Sequence, residues 1–209
     1  MNKELQHVIN AVENAAVYDY PYKYCYITDF FSNSFYDEIL KNLPTTDEYT
    51  YYRRSRYRFQ MEQSDKEVIQ EANTILKSKE LQDAYFTKFK KALIKEERSN
   101  TSVYCNPTLM RDVKGYSISP HRDHHRKVIT TQIYLPQDNT HENCGTIMNI
   151  KEGEQFINYK QFKFHRNTSY AFVRSDNSWH SADISTENNF DRNSIMFIYY
   201  TEANHHQSQ

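Results

Sequence analysis

The sequence predicts a mainly β domain, built as a sandwich or barrel and preceded by helices, on three observations. Aromatic residues make up 15% of the chain, with 18 Tyr and 12 Phe but only 3 Gly, and aromatic and β-branched residues favour half-buried pleated surfaces. Helical periodicity dominates up to about residue 100, and short β-prone runs follow one another after it. At 209 residues, the chain has the length of one domain.

Helical signals fill the first hundred residues. Residues 3–16 predict a polar helix, and Ser32 or Ser34 fits the N-cap of a second, short one. The stretch 64–95 opens on Ser-Asp-Lys-Glu, which is typical of a capping box, and then predicts a longer amphipathic helix with a break near Ser78.

Seven or eight short strands are predicted after residue 100. They are the runs TSVYCNPTLMR, GYSIS, KVITTQIYLP, CGTIMNI, SYAFVR, WHSADI and NSIMFIYYT. Strands this short and closely spaced are typical of a β-sandwich or barrel. We therefore expect a helical region over residues 1–100 that braces the barrel, a β core over 101–204, and a flexible tail over 205–209 that holds His205 and His206.

Composition and charge exclude several classes of function. The 26 Lys and Arg balance 27 Asp and Glu, so the net charge of -1 offers no electrostatic case for nucleic acid or an anionic membrane. The three cysteines form no Cys-x-x-Cys pair, which argues against a disulfide framework or zinc knuckle and favours a reducing, cytoplasmic setting. A polar N-terminus and the lack of an apolar run of roughly 20 residues predict a soluble protein. Nothing in the sequence sets an oligomeric state.

Three polar residues near predicted strand ends have the pattern of a metal site. His121 and Asp123 are two residues apart, and such positions point to the same side of an extended backbone. Composition alone produces about half an accidental His-x-Asp pair per chain, so the pair means little without support. That support is His180, which opens another predicted strand. Two histidines and one carboxylate form the facial triad of non-haem Fe(II) oxygenases.

A basic residue follows the second histidine at the start of the last predicted strand. Arg192, followed by Asn193 and Ser194, offers a planar fork for a carboxylate with a hydroxyl beside it. The alternative is an ordinary surface ion pair of Arg192 with Asp191 or Glu187.

In order and spacing, these segments resemble the Fe(II)- and 2-oxoglutarate-dependent dioxygenases, in particular small single-domain members with a prolyl 4-hydroxylase-like pattern. The resemblance covers about residues 105–201. It implies a double-stranded β-helix, a jelly-roll barrel like that of the cupins. It also implies that the iron ligands are His121, Asp123 and His180.

The resemblance further implies how the cosubstrate is bound. Arg192 matches the basic residue that binds the distal carboxylate of 2-oxoglutarate, and Ser194 matches its Arg-x-Ser partner. Tyr134 would place its phenol on the same carboxylate. The usual Gly-Gly of the family is replaced by Cys-Gly-Thr at 144–146, and the usual Asn after the Tyr-Leu pair is replaced by Pro136, so the loop between these positions departs from the family pattern.

The activity implied is hydroxylation of a peptide or small molecule, with a prolyl or other peptidyl residue among the candidates. It would use Fe(II), 2-oxoglutarate and O2, with ascorbate as the expected reductant, and release succinate and CO2. Two alternatives remain: a cupin-like module that binds a metal or ligand without turnover, and a hydrolytic zinc site. Arg192 and Ser194 favour the oxygenase, because a hydrolase has no need of a second carboxylate anchor.

Several other polar residues have a plain structural interpretation. The run from His124 to Lys127 is expected to be a solvated loop, although His124 could compete as a ligand, and Trp179 is expected to pack. The Arg-aromatic segment, residues 51–59, could stack on and neutralise a nucleic acid or an acidic glycan, or steer an anionic or extended substrate. Its alternative is a strand or loop with one aromatic face on the barrel and its arginines in solvent.

Overall fold

A computed structural model of the chain describes residues 2–186 and 190–202, in which five helices pack against one of two antiparallel sheets. The helices are α1 (Lys3–Asn14), α2 (Asn33–Lys41), α3 (Glu67–Lys77), α4 (Lys79–Lys88) and α5 (Lys90–Lys95). No helix of the described part is long and apolar enough to cross a membrane. The expected tail, with His205 and His206, lies outside the described residues.

Serine side chains begin two of the helices, as the sequence predicts. Ser32 caps α2 by accepting a hydrogen bond from the backbone N–H of Phe35, and Ser78 both ends α3 and caps α4. The predicted capping box is wrong, because the N-cap of α3 is Lys66. Ser64 Oγ accepts from the Lys66 backbone N–H instead, in a turn that precedes the helix.

Thirteen strands make up the two sheets. They are β1 (Val17–Tyr18), β2 (Tyr24–Ile27), β3 (Thr50–Arg53), β4 (Arg56–Gln60), β5 (Val103–Cys105), β6 (Thr108–Asp112), β7 (Ser117–His121), β8 (Lys127–Tyr134), β9 (Ile147–Glu152), β10 (Gln155–Gln161), β11 (Ser169–Val173), β12 (His180–Asp183) and β13 (Arg192–Thr201). The large sheet has the order β1-β2-β11-β8-β13-β6-β4-β3, with β5 also pairing with β13, and the small sheet has the order β10-β9-β12-β7.

The eight strands from β6 to β13 form the jelly roll that the sequence predicts. Along the chain they alternate between the sheets, except that β9 and β10 form a hairpin within the small sheet. Three strands, β1, β2 and β10, were not predicted, and β3 and β4 were predicted only in one alternative for residues 51–59. β1 to β4 come from the region expected to be helical and extend the large sheet at both ends, and β10 is exposed at every position, so it shows no burial pattern to recognise.

Strand β8 shows how the large sheet separates two cores. Ile129 and Ile133 point towards the helices and belong to a core with α1 to α5. The alternate residue Tyr134 belongs to a second core between the sheets, and Thr130 and Gln132 line a cavity there. Because β8 is buried on both faces, its polar residues must find partners inside the protein.

Asn167 ties the N-terminal region to the barrel. Its side-chain Oδ1 accepts from the Phe31 backbone N–H at 2.9 Å, and its Nδ2 donates to the Phe31 carbonyl at 2.6 Å. Its backbone has a φ of 53°, which asparagine tolerates better than most residues. We expect Asn167→Ala to lower the free energy of unfolding by roughly 2–3 kcal/mol, because two buried backbone groups lose their partners. Urea denaturation measures this.

The matched control is Asn14→Ala, at the exposed end of α1, which should change stability by less than about 0.5 kcal/mol. Equal stability of the two variants would contradict the role given to Asn167.

Candidate active site

Three side chains on the small sheet and its adjoining loop form a candidate metal centre. His121 ends β7 and His180 begins β12, and the two residues are direct partners in the antiparallel ladder. Their ring centroids are 4.4 Å apart. Asp123 follows in the loop after β7, and its Oδ1 lies 3.9 Å from His180 Nε2. Ligand atoms of all three lie within 4.8 Å of one another, so the structure brings together the three residues that the sequence selects.

Backbone carbonyls hold both imidazoles in the tautomer that a metal needs. His121 Nδ1 lies 3.0 Å from the Ser119 carbonyl oxygen, and His180 Nδ1 lies 3.0 Å from that of Ser178. A carbonyl oxygen only accepts, so each Nδ1 carries the proton and each Nε2 keeps its lone pair. Burial lowers the pKa of His121 to about 4 and also lowers the pKa of His180. Both rings are therefore neutral at pH 7.

The Asp123 carboxylate is buried yet ionised. Thr130 Oγ1 donates to its Oδ2 at 2.6 Å, and Lys127 Nζ donates to its Oδ1 at 2.5 Å. Burial acts to raise the pKa of Asp123, but the charge of Lys127, His180 and the hydrogen bonds from Lys127 and Thr130 together outweigh that effect, and the pKa falls to about 2. Two neutral nitrogens and one anionic oxygen are a donor set that suits Fe(II), and also Zn²⁺.

The expectation of a solvated loop after Asp123 is only half right. His124 and His125 are exposed and do not join the ligand group. Lys127, in contrast, is the first residue of β8 and reaches Asp123 with its side chain 19% exposed. Arg126 is half-buried, and its Nη2 donates to a carbonyl of β13 at 3.2 Å. Lys127 is already part of β8, and Arg126 is bonded to β13, so neither side chain belongs to a solvated loop.

A buried arginine–aspartate cluster lies across three strands of the large sheet. Asp112 on β6 is the register partner of both Arg56 on β4 and Arg192 on β13. Its carboxylate accepts two hydrogen bonds from Arg56, at 2.5 and 2.8 Å, and one from Arg192 Nη1 at 2.8 Å. Arg192 and Asp112 are both 0% exposed. With two cations and one anion, this cluster carries a net charge of +1.

Arg192 is therefore not in a surface ion pair. Asp191 instead accepts from Arg111 Nε at 2.8 Å, and Glu187 lies outside the described residues. Burial alone would lower the pKa of Arg192, but the carboxylate of Asp112 raises it, so the guanidinium stays charged.

An inner cavity of about 80 Å³ connects the metal centre to Arg192. The wall includes the three candidate ligands and five residues around the guanidinium: Arg56, Gln132, Thr146, Tyr170 and Arg192. Arg192 Nη2 lies 3.3 Å from Thr146 Oγ1 and 3.4 Å from Gln132 Oε1. These are long contacts for charge-assisted hydrogen bonds, so this end of the guanidinium is weakly satisfied within the protein.

Tyr134 and Ser194 are near this cavity but do not appear among the described residues of its wall. The Tyr134 hydroxyl accepts from the Thr146 backbone N–H at 2.9 Å, and Ser194 Oγ accepts from Gln132 Nε2 at 2.8 Å. Two other phenols line the cavity, those of Tyr116 and Tyr170, and of these Tyr170 bonds to Thr146 beside Arg192. It was missed because tyrosine is abundant in this chain and nothing in the local sequence distinguishes Tyr170.

The Cys-Gly-Thr segment that departs from the family pattern supplies two of these contacts. The Cys144 carbonyl accepts from Arg192 Nε at 2.6 Å, and Thr146 lines the cavity. Between them, a Cβ on Gly145 would lie 1.8 Å from the Phe162 carbonyl oxygen. The single glycine is thus needed for the close approach of two backbones.

The Arg-aromatic segment, residues 51–59, forms the hairpin of β3 and β4 at the edge of the large sheet. Tyr57 and Phe59 pack against the helical core, as one alternative expects. That alternative holds for Arg53 and Arg54, which are exposed, but it is wrong about Arg56 and Arg58, which alternate with these aromatics and therefore face inward. Both line the inner cavity. Arg54, in the turn, is exposed.

An outer cavity of about 560 Å³ opens beside the metal centre. His121 and Asp123 line both cavities, as do Arg53, Arg58 and Lys127. Trp179 lies near its rim and packs as expected, with its ring 4.8 Å from that of Phe156 and beneath the guanidinium of Arg122.

Neither a protein-family model nor a curated protein matches the sequence. Solved structures do match the fold. A prolyl-4-hydroxylase from Pseudomonas putida aligns with a TM-score of 0.60 at 9% identity, over 95% of this chain and 99% of that one. A prolyl hydroxylase from Trichoplax adhaerens, in complex with a peptide fragment of hypoxia inducible factor, aligns with a TM-score of 0.54 at 13% identity, over 94% and 89%.

The non-haem, α-ketoglutarate-dependent epimerase SnoN of nogalamycin biosynthesis also matches, with a TM-score of 0.53 at 10% identity, over 94% of this chain and 82% of that one. The chain therefore has the jelly-roll fold of the Fe(II)- and 2-oxoglutarate-dependent oxygenases. At these identities the likeness concerns the fold, and the chemistry must be argued from the site.

Lys127 competes with a metal for Asp123. We expect Lys127→Met to bind Co²⁺ or Mn²⁺ about 5- to 30-fold more tightly, because removing a partly buried ammonium group from the carboxylate is worth about 1–2 kcal/mol. Titration calorimetry of the metal-free protein measures the affinity. Lys114→Met, an exposed lysine in the turn before β7, is the control and should bind like the unmodified protein. Weaker metal binding by Lys127→Met would contradict the competition.

Proposed function

We propose that the protein is an Fe(II)- and 2-oxoglutarate-dependent dioxygenase that hydroxylates a peptide or small molecule and releases succinate and CO2. The observation that carries the proposal is one cavity lined both by two neutral imidazoles with a carboxylate and by a buried guanidinium in a cluster of net charge +1. The jelly-roll fold shared with 2-oxoglutarate-dependent oxygenases supports it.

The candidate ligands suit the metal of this class. His121 Nε2, His180 Nε2 and a carboxylate oxygen of Asp123 would hold the metal, and a set of only three protein donors would leave it able to take other ligands. When bound there, Fe(II) would supply the activation of dioxygen and the decarboxylation of a 2-oxo acid. The protein contributes oriented donors, since the Ser119 and Ser178 carbonyls fix the rings and Thr130 fixes the carboxylate.

The cluster provides for the far carboxylate of 2-oxoglutarate. Without Arg56, the Asp112 carboxylate would cancel the charge of Arg192. With Arg56, one positive charge remains for one incoming carboxylate. Thr146 and Tyr170 present hydroxyl groups in the same wall.

Ser194 and Tyr134 then act indirectly on the cosubstrate. Ser194 accepts from Gln132 and so orients its amide, while the Tyr134 hydroxyl holds the backbone of Thr146. In our proposal both are therefore positioning residues. The phenol that contacts the far carboxylate of 2-oxoglutarate is that of Tyr170 instead of Tyr134.

The candidate substrates include a prolyl or other peptidyl residue, because two of the structural neighbours are prolyl hydroxylases and one of these is bound to a peptide fragment. The epimerase among the neighbours widens the range to small molecules. Ascorbate is proposed as the reductant that keeps the iron ferrous.

The triad is tested by the release of succinate from 2-oxoglutarate under Fe(II), ascorbate and oxygen. We expect His121→Ala, Asp123→Ala and His180→Ala each to abolish Fe(II)-dependent turnover, because each removes one of three protein ligands. His125→Ala, an exposed neighbour, is the control and should retain activity. Normal turnover in His180→Ala would exclude the assignment, and absence of succinate release from the unmodified protein would favour a binding module or a zinc hydrolase.

The cosubstrate anchor is tested by Arg192→Ala. A charged pair in a buried pocket contributes about 2–4 kcal/mol, so the KM for 2-oxoglutarate should rise roughly 30- to 1000-fold. Co²⁺ affinity should change little, which separates loss of the anchor from loss of the fold. Arg192→Lys, which keeps the charge but not the fork, should be intermediate. An unchanged KM in Arg192→Ala would place the anchor elsewhere.

A further inference from the structure

The outer cavity is strongly basic in a protein whose net charge is -1. Its wall includes one carboxylate, Asp123, which already belongs to the metal centre. It also includes five basic side chains: Arg53, Arg58, Arg122, Arg126 and Lys127. Positive charge concentrated in one concave surface beside a candidate active site attracts anions.

Three of the five cations already have partners. Arg122 forms an ion pair with Asp176, Lys127 pairs with Asp123, and Arg126 donates to a backbone carbonyl. Arg53 and Arg58 differ, because within residues 2–186 and 190–202 no carboxylate lies at ion-pair distance from either of them. The two unpaired guanidinium groups come from opposite strands of the same hairpin.

The surroundings of Arg58 favour the binding of an anion. Its guanidinium carbon lies 3.3 Å from the centroid of the Tyr52 ring, and the same ring lies 4.9 Å from that of Arg53. Arg58 Nε is buried and makes no hydrogen bond. Burial, chiefly, lowers the pKa of Arg58, and neighbouring Arg56 adds to the effect. Because Arg58 lines the outer cavity, an anion bound beside its guanidinium would offset the cost of burying the charge.

Aromatic rings continue the wall beyond the arginines. Tyr104 and Tyr200 stack with ring centroids 5.5 Å apart and an interplanar angle of 19°, and both line the outer cavity. Flat aromatic surface next to guanidinium groups suits an organic anion better than a hydrated inorganic ion.

We propose that the outer cavity binds the primary substrate as an organic anion, and that Arg58, assisted by Arg53, binds its carboxylate or phosphate group. The link to turnover rests on the proposed function, because His121 and Asp123 line the same cavity. The anion site itself rests only on the contacts of the hairpin.

The test is direct binding of three probes to the full, metal-free chain. Titration calorimetry or ligand-observed NMR measures the affinity of each probe. Phenyl phosphate and benzoate each join one ring to one anionic group, and benzamide is the neutral analogue of benzoate. We expect the two anions to bind and benzamide to bind at least about tenfold more weakly, with anion affinity falling as salt rises.

Arg58→Gln should weaken both anions by about tenfold or more, and Arg58→Lys should do so less, because it keeps the charge but loses the fork. Arg54→Gln, an exposed arginine in the turn of the same hairpin, is the matched control and should bind like the unmodified protein. Thermal unfolding of each variant verifies that the fold is retained.

Equal affinity for benzamide and benzoate would overturn the proposal, as would undiminished anion binding by Arg58→Gln or a lack of binding to the unmodified protein. Because the assay contains neither iron nor 2-oxoglutarate, its result is independent of succinate release. Anion binding without turnover would refute only the proposed function, and turnover without anion binding would refute only the anion site.

Discussion

The burial of Arg192 is the constraint on which the candidate site depends. A guanidinium that is 0% exposed is costly unless its charge and its N–H groups are matched inside the protein. Asp112 provides that match, and Arg56 in turn prevents Asp112 from neutralising the group completely. The three residues lie on β4, β6 and β13 as register partners. The pairing of these strands therefore determines the charge of the cavity.

The parts of the site that are local in sequence could be predicted without a structure. His121 and Asp123 share two-residue spacing at a strand end, and His180 opens a strand of its own, so the strand pattern alone places them at element ends. The jelly roll could also be predicted from the sequence, because its strands are short and rich in β-branched and aromatic residues. Arg192 was predicted from its position after His180, which matches the pattern of the oxygenase family. The burial of its side chain was not predicted.

The parts that depend on distant strand pairing could not be predicted. Asp112 and Arg192 meet only because β6 and β13 are neighbours, and no local pattern marks Arg56 as the partner of both. Tyr170 and Gln132 face the cavity for the same reason, on adjoining strands of the large sheet. One alternative placed the arginines of β4 in solvent because long charged side chains usually reach water, but β4 lies between β3 and β6 and directs Arg56 and Arg58 towards the cavity.

The hairpin of β3 and β4 extends the large sheet beyond β6, and its residues reach two different sites. Arg56 belongs to the charge balance around Arg192, whereas Arg53 and Arg58 make no ion pair with Asp112 and line the outer cavity as well as the inner one. Under the proposed function, a change at Arg53 or Arg58 would alter the outer cavity while the ion pairs of Arg56 and Arg192 with Asp112 stay intact. Divergent versions of this protein with other residues at positions 53 and 58 would then accept other molecules, so long as an arginine remains opposite Asp112 and positions 57 and 59 still pack against the helical core.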